Sequence, residues 1–216
     1  LGLMNEIKNI IFDLGGVIFK LDYSKTEDKF KKIGVLHFKE LYSQKKQTLL
    51  FDDFEKGKIK PEEFISSLKE SENLNIKEID FINAWNAMLL EIPVEKLEFI
   101  ENLKKKYKIF LLSNTNEIHI NKFEDDLRKK NMLEQFYKCF DKIYYSSRMG
   151  KRKPDENCFN QVLEENGLSA DNTLFIDDSI QHIVGAEKIG IKTFHLENNK
   201  SILDLLPDII QSKHHR

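Results

Sequence analysis

Short apolar strands that end in polar residues constrain the fold of this 216-residue chain more than any other feature. Asn9 to Asp13 has the pattern of such a strand, and it ends on a carboxylate that is soon followed by two glycines. Later strand candidates are separated from one another by helical periodicity: Lys108 to Leu112, Lys142 to Tyr145, Thr173 to Ile176 and Lys192 to His195. This alternation predicts an α/β fold, with a Rossmann-like parallel sheet of about five strands flanked by helices.

The first two strands of the predicted sheet lie far apart in the chain, one ending at Asp13 and the next at Ser113. A simple strand-helix-strand unit needs only about 30 residues, so we infer an inserted segment. Apolar residues recur in it at helical spacing, and Pro61 is typical of a helix start: Phe64, Ile65, Leu68, Phe81, Trp85, Met88 and Leu89. We predict an α/β core domain of residues 1–22 and 91–216 and an all-helical cap domain of residues 23–90 that covers Asp13 as a lid. Phe81 and Trp85 fit the core of that insert better than a substrate platform.

Charge and composition exclude several classes of function. The net charge of −2 comes from mixed acidic and basic residues, which argues against a nucleic acid or an anionic membrane as partner. No apolar stretch approaches the roughly 20 residues that span a bilayer, and the first residues lack the pattern of a secretory signal. Cys139 and Cys158 match no metal-ligand spacing and fit buried thiols in a reducing compartment. We therefore expect a cytoplasmic protein, and the sequence does not predict its oligomeric state.

Four polar groups follow separate elements of the predicted sheet and can meet at its carboxyl edge. They are Asp13, Ser113 with Asn114, Lys153, and the pair Asp177 and Asp178. Carboxylates from two strand ends can hold a hard divalent cation such as Mg²⁺, while a hydroxyl, backbone amides and a lysine can hold a phosphate. Asp13 could then attack phosphorus and form an aspartyl-phosphate. The expected ligand is a small-molecule phosphomonoester.

The same residues resemble the four motifs of the haloacid dehalogenase (HAD) superfamily, in the same order along the chain. The insert is similar in position and length to the type 1 cap of that superfamily. Three short stretches most resemble bacterial phosphatases that act on α-D-glucose 1-phosphate: Phe-Asp-Leu-Gly-Gly-Val, Leu-Ser-Asn-Thr-Asn and Arg-Lys-Pro. The resemblance implies a Mg²⁺-dependent phosphatase, with a sugar phosphate such as glucose 1-phosphate as a candidate substrate.

The resemblance also implies roles for single residues. Asp13 would be the nucleophile and a metal ligand, the backbone carbonyl of Gly15 a second ligand and Asp178 a third. Asp177 would not bind the metal itself but would hold these ligands in position. Lys153 would take part in catalysis and, with Ser113 and the backbone amide of Asn114, hold the transferring phosphoryl group.

The chain departs from the family pattern at Gly15. Most phosphatases of the superfamily have an aspartate there, which protonates the leaving oxygen and then activates water. General acid-base catalysis contributes about 10² to 10⁴ in rate, so its loss predicts slow or selective turnover and favours a good leaving group such as an anomeric oxygen. His119 and His182 are candidates to replace this acid, although packing roles fit them better.

Several alternatives remain open at this level. Gly15 is also compatible with a catalytically silent HAD-fold binding protein. A haloacid dehalogenase would attack carbon with Asp13 and would not need a metal. The presence of Asp178, an expected metal ligand, disfavours this alternative.

Other polar residues have simpler interpretations. Ser113 and Asn114 could cap the following helix. The pattern of Arg148, Lys151 and Arg152 is typical of a solvated basic loop, and Asp22 could serve in a turn or face the site.

Overall fold

The fold is centred on a parallel sheet in a computed structural model that describes residues 7–42, 48–197 and 200–204. Seven strands lie within these residues: β1 (Asn9–Phe12), β2 (Lys20–Leu21), β3 (Leu89–Glu91), β4 (Lys108–Ser113), β5 (Lys142–Tyr145), β6 (Thr173–Asp177) and β7 (Lys192–His195). Five of them form one sheet in the order β5-β4-β1-β6-β7, with every neighbouring pair parallel. The predicted fold class is confirmed.

Strand β1 occupies the centre of the sheet. Phe12 is paired with Leu111 of β4 on one side and with Ile176 of β6 on the other. Because successive side chains of a strand point to opposite faces, β1 contributes to two apolar cores. Ile10 and Phe12 lie in one core and Ile11 in the other. The residue that follows β1 is therefore at the middle of the sheet's carboxyl edge.

Eleven helices connect the strands within the described residues. They are α1 (Tyr23–Lys32), α2 (Phe38–Leu41), α3 (Leu49–Glu55), α4 (Pro61–Ser71), α5 (Glu78–Trp85), α6 (Val94–Leu103), α7 (Glu117–Lys129), α8 (Leu133–Lys138), α9 (Ser146–Met149), α10 (Glu156–Asn166) and α11 (Ile180–Glu187). Short 3₁₀ turns cover Asn86–Met88 and Ala170–Asn172. Among the helices so described, none has the length and apolar character needed to cross a bilayer.

Helices α1 to α5 form the helical insert, which we define as residues 23–88. It leaves the sheet through β2 and returns through β3, and these two strands pair antiparallel at its base. The sequence pattern places Leu89 in a helix, and this is wrong, because Leu89 begins β3 and is paired with Leu21. The hinge strands hold the chain extended where helical periodicity alone predicts another turn. The division into core and cap domains stays a prediction.

Aromatic side chains fill the interior of the helical insert. Phe81 and Trp85 are both fully buried, as expected for a packing role. The Trp85 ring contacts several neighbours, among them Phe51 and Phe64 at centroid distances of 5.5 and 5.7 Å. These residues form an apolar cluster separate from those of the sheet. Each buried ring removes a large apolar area from water, which stabilises the insert.

The helical insert contacts the sheet region at Gly57, two residues beyond the end of α3. Gly57 has φ +65°, and a Cβ built on it would lie 1.9 Å from the backbone carbonyl oxygen of Ser147 in α9. Only glycine permits both the left-handed backbone and this close approach. The contact seats the insert on the segment that leads to Lys153.

We expect Gly57→Ala to lower the free energy of unfolding by about 1–3 kcal/mol more than a matched substitution, since the added methyl group forces the insert off α9. Gly167→Ala is the control, because Gly167 has a similar φ of +60° but nothing within 4 Å of a built Cβ. Denaturant unfolding of both variants measures the difference. Equal losses would show that backbone strain, not the contact with Ser147, makes Gly57 necessary.

Candidate active site

Three of the predicted site residues lie at the carboxyl edge of the sheet. Asp13 directly follows β1, Ser113 is the last residue of β4 and Asp177 is the last residue of β6. These strands are adjacent and parallel, so their ends lie side by side. Lys153 enters from the segment that follows α9 and completes the group. All four residues line or adjoin one cavity between the sheet and the helical insert.

The ammonium group of Lys153 holds the site together. Its Nζ lies 2.8 Å from Oδ1 of Asp13 and 2.7 Å from Oδ2 of Asp177, and the side chain is fully buried. Burial alone would lower the pKa of Lys153, but the carboxylates of Asp13 and Asp177 more than offset it and raise the pKa above its usual value. Lys153 is therefore a fixed positive charge at neutral pH.

Asp13 carries an unfavourable negative charge in this arrangement. Burial raises the pKa of Asp13 most; Lys153 opposes this, and the nearby carboxylates of Asp177 and Asp178 raise it further. Asp13 and Asp177 thus share one ammonium group, and Asp178 adds a further negative charge near Asp13. A bound divalent cation would offset this excess negative charge, so the donor set fits a hard metal ion such as the one predicted from the sequence.

Asp177 is already fully engaged with protein donors. Besides Lys153, its oxygens accept hydrogen bonds from the backbone N–H of Ser179 at 2.7 Å and from Nδ1 of His182 at 3.0 Å. Burial would raise the pKa of Asp177, but Lys153 and His182 hold it well below its usual range. These contacts suit a residue that orients Lys153, and the supporting role of Asp177 stays a prediction.

Asp178 lies against the loop that follows Asp13. A Cβ built on Gly16 would come within 2.2 Å of Oδ2 of Asp178, and Gly16 has φ +74°, so only glycine fits beneath this carboxylate. Within the described residues, the ligand atoms that come together within 4.8 Å of one another belong to Asp13, Asp177 and His182. The assignment of Asp178 as a direct metal ligand stays a prediction.

The turn after Asp13 leaves the backbone carbonyl of Gly15, a predicted metal ligand, outside its own hydrogen bonds. Its hydrogen bonds join Gly16 N–H to Phe19 O and Phe19 N–H to Leu14 O, so the Gly15 carbonyl is not used by the turn. A Cβ built on Gly15 would meet Cδ1 of Leu21 at 2.7 Å. An apolar side chain therefore occupies the space into which an aspartate at this position would project.

Asn114 fixes the backbone that carries Lys153. Its side-chain amide donates to the carbonyl of Lys153 at 2.9 Å and accepts from the N–H of Lys153 at the same distance. The alternative that Ser113 and Asn114 cap the next helix is wrong. Asn116 caps α7 instead, because its Oδ1 accepts from the N–H of His119 at 3.1 Å. The hydroxyl of Ser113 lines the cavity.

The segment after Lys153 makes a turn before the next helix. Proline is common at the first position of a helix, yet α10 begins only at Glu156, two residues after Pro154. The N–H of Asp155 donates to the carbonyl of Arg152, so a turn precedes the helix. A Cβ on Gly185 of α11 would lie 2.4 Å from the carbonyl oxygen of Pro154, so α11 packs directly on this turn.

Neither histidine candidate fits the role of the missing acid. His119 is buried, stacks on Trp85 with a centroid distance of 4.7 Å and hydrogen-bonds through Nδ1 to Asn86 Oδ1 at 2.9 Å. Burial lowers its pKa to about 3, so it has no proton to donate at neutral pH. Burial likewise lowers the pKa of His182, whose Nδ1 is engaged by Asp177. Both residues therefore serve the structure of the site.

The interpretation of Arg152 as part of a solvated loop is wrong. Its guanidinium is largely buried, with Nη1 2.9 Å from Asp52 Oδ1 and Nη2 3.1 Å from Glu55 Oε2 of α3. The hydroxyl of Tyr42 in turn lies 3.4 Å from Glu55 Oε1. Arg148 is solvated as that interpretation expects, since it forms an exposed pair with Glu117, but it lies in α9 and not in a loop.

Two tyrosines of the helical insert, Tyr23 and Tyr42, also line the cavity. Tyr23 is 37% exposed as a residue, but desolvation of its phenol, and then the carboxylates of Asp178 and Asp13, raise its pKa above its usual value, so the phenol stays protonated. Burial and the Glu55 carboxylate do the same for Tyr42. Asp22 does not join them, because its carboxylate caps α1 by accepting from the N–H of Ser24.

Residues 7–190 of the chain match the family described as haloacid dehalogenase-like hydrolase. The chain therefore belongs to this family of hydrolases, and the predicted superfamily is confirmed. The roles of the individual site residues stay predictions.

Two relatives of known activity cover almost the whole chain. A D-ribitol-5-phosphate phosphatase of Bacteroides thetaiotaomicron is 30% identical over 95% of this chain and 100% of its own. A sesquiterpene phosphatase of Aspergillus oryzae is 25% identical over 91% of this chain and 93% of its own. The solved structure of a HAD family enzyme of Bacteroides thetaiotaomicron, in complex with magnesium and inorganic phosphate, has a TM-score of 0.79 and 33% identity, and the match covers 92% of this chain and 98% of that one.

The buried imidazole of His119 predicts a specific loss of stability in acid. The unfolded chain takes up a proton at this residue below about pH 6.5, whereas the folded chain does so only near pH 3. The contribution is fully present above pH 6.5 and is lost as the pH falls, by about 2 kcal/mol at pH 5. Unfolding free energies of the wild type and His119→Gln at pH 7 and pH 5 test this. The variant should lose less stability between the two pH values, and an identical loss would mean that His119 is not held neutral.

Proposed function

We propose that this hydrolase is a Mg²⁺-dependent phosphatase that acts on a small phosphorylated metabolite through an aspartyl-phosphate on Asp13. The observation that carries the proposal is the buried ammonium of Lys153, 2.8 Å from Asp13 and 2.7 Å from Asp177. This contact fixes the orientation of one Asp13 oxygen and leaves the carboxylate facing the cavity. A positioned carboxylate beside a permanent positive charge is what attack on an anionic phosphorus centre requires.

The residues of the chain would divide the work as follows. Asp13 attacks phosphorus and the bond to the leaving oxygen breaks, after which water hydrolyses the acyl phosphate and restores the carboxylate. Lys153, the hydroxyl of Ser113 and the backbone amide of Asn114 hold the phosphoryl oxygens. Asp13, Asp178 and the Gly15 carbonyl would hold Mg²⁺, which supplies the positive charge that Lys153 alone does not provide. The related HAD family enzyme solved with magnesium and inorganic phosphate supports the choice of these two ligands.

Two kinds of phosphomonoester fit the site for different reasons. A sugar 1-phosphate such as glucose 1-phosphate has an acidic anomeric leaving group, which tolerates the lack of a proton donor at Gly15. A polyol phosphate is supported by the relative named D-ribitol-5-phosphate phosphatase. The relative named sesquiterpene phosphatase shows that the substrates of relatives differ widely in polarity. The choice between these two kinds of substrate therefore depends on the residues that line this chain's own cavity.

A catalytically silent binding protein is the second candidate, and the packing of Leu21 against Gly15 favours it. The space of the usual acid is filled by an apolar side chain rather than by another proton donor. Such a protein would bind a phosphomonoester in the presence of Mg²⁺ without releasing phosphate.

Phosphate release from a panel of phosphomonoesters, with and without Mg²⁺, tests the proposal. We expect Mg²⁺-dependent release, and we expect Asp13→Asn to abolish it because the amide cannot attack phosphorus. Asp22→Asn is the matched control, since Asp22 caps α1 by accepting from Ser24 N–H and should leave turnover intact. Binding of the substrates without any release by the wild type would favour the silent alternative.

The lack of an acid at Gly15 predicts that rates depend steeply on the acidity of the leaving group. Gly15→Asp combined with Leu21→Ala, which makes room for the new carboxyl group, should flatten this dependence and raise the rate on poor leaving groups by about 10²-fold. A series of aryl and alkyl phosphates measures the slope, with Leu21→Ala alone as the control. An unchanged slope in the double variant would show that another group already supplies the proton.

A further inference from the structure

Arg152 ties the helical insert to the catalytic segment. Its neighbour in sequence is Lys153, which holds Asp13 and Asp177. Arg152 itself reaches in the other direction and pairs with two carboxylates of α3, at 2.9 Å from Asp52 and 3.1 Å from Glu55. Burial would lower the pKa of Arg152, but the charge of Glu55 and the hydrogen bond to Asp52 raise it. The guanidinium is a permanent charge at the junction of insert and sheet.

The two carboxylates bound by Arg152 differ in where they lie. Glu55 lines the cavity together with Tyr42 and Arg152, and its side chain is only 5% exposed. Asp52 is not part of the cavity wall, is 26% exposed and has a second cationic partner in Lys56 at 2.9 Å. One carboxylate thus faces the ligand space, whereas the other faces away from it.

A buried carboxylate in the wall of a cavity disfavours the binding of an apolar ligand. Desolvating an ion pair costs several kcal/mol per ion, and removing one partner or its hydrogen-bond donors adds to that cost. An apolar chain packed against Glu55 would exclude water without offering a donor. A hydroxyl group offers a donor to the carboxylate, and charge-assisted hydrogen bonds of this kind are the strong ones.

We propose that Glu55, held in place by Arg152 and Tyr42, is the specificity-determining residue of the cavity, and that it selects leaving groups that carry hydroxyls. The substrate class is then a neutral polyol or sugar phosphate. This inference rests on the proposed phosphatase function and deepens it. An apolar leaving group gains nothing at Glu55, and a leaving group with a second anionic charge is repelled by it. The apolar side chains on the far wall, among them Leu21, Met88 and Phe123, contact the carbon chain in either case.

Two substrates with the same carbon chain isolate the effect of the hydroxyls. Ribitol 5-phosphate and n-pentyl phosphate both present a five-carbon primary alkyl phosphate, and only the first carries further hydroxyls. We expect the wild type with Mg²⁺ to have a higher kcat/KM for ribitol 5-phosphate. We expect Glu55→Gln to reduce the ratio of the two kcat/KM values at least about tenfold, because a hydrogen bond to a charged group is replaced by one to a neutral amide.

Asp52→Asn is the matched control. It removes the other carboxylate bound by Arg152 from the same helix, so it perturbs the junction to a similar extent but leaves Glu55 in the cavity wall. We expect Asp52→Asn to change both kcat/KM values by the same factor. Tyr42→Phe removes the hydroxyl 3.4 Å from Glu55 and should lower the ratio less than Glu55→Gln, which provides a second route if the latter variant unfolds.

Three outcomes would overturn the inference: a wild type that prefers n-pentyl phosphate, equal ratios in Glu55→Gln and the wild type, or the same fall of the ratio in Asp52→Asn as in Glu55→Gln. Titration of both phosphates into Asp13→Asn with Mg²⁺ separates this inference from the phosphatase proposal. Selective binding of ribitol 5-phosphate that is lost in Asp13→Asn with Glu55→Gln would support the role of Glu55 even if the wild type released no phosphate. Turnover without such selectivity would support the phosphatase and exclude the role of Glu55.

Discussion

The contact of the Lys153 ammonium with Asp13 and Asp177 is the interaction on which the rest of the site depends. A fully buried ammonium is stable only when it is paired, and the two partners come from strands β1 and β6 at the middle of the sheet. Further contacts hold Lys153 in this position: the Asn114 side chain binds both the N–H and the carbonyl of Lys153, and Gly185 lets α11 approach Pro154. Losing either carboxylate would leave the buried ammonium with a single charged partner.

This pairing also explains the division of labour between the acids. The oxygens of Asp177 accept hydrogen bonds from Lys153, Ser179 and His182, so this carboxylate holds the surrounding groups in position. Asp13 shares the same ammonium, but burial, and then the neighbouring carboxylates of Asp177 and Asp178, raise its pKa. If Asp13 is the nucleophile, as proposed, it needs more positive charge before it can approach a phosphate dianion. The proposed attack by Asp13 and the fit of the site to a divalent cation therefore have one cause.

Much of the site could be predicted from the sequence because strand ends fix positions directly. Asp13, Ser113 and Asp177 each end an apolar strand, and a parallel sheet necessarily brings such ends together. Arg152 and Leu21 could not be predicted in this way. Local composition makes Arg152 look solvated, and its partner Asp52 lies 100 positions away. Leu21 sits in a two-residue strand whose pattern carries no signal, and only the packing against Gly15 reveals its effect.

The adjacency of Arg152 and Lys153 gives the fold a simple way to join recognition to chemistry. Arg152 binds the helical insert, Lys153 binds Asp13, and the backbone of Lys153 is held by Asn114. A hydrogen bond from Asp155 N–H to Arg152 O holds the turn that contains Lys153. A displacement of α3 would therefore move Arg152, and with it the neighbouring Lys153. A leaving group that engages Glu55 would then stabilise both the seated insert and the position of Lys153. In this way, contacts of the leaving group far from phosphorus would help to hold Asp13 in position.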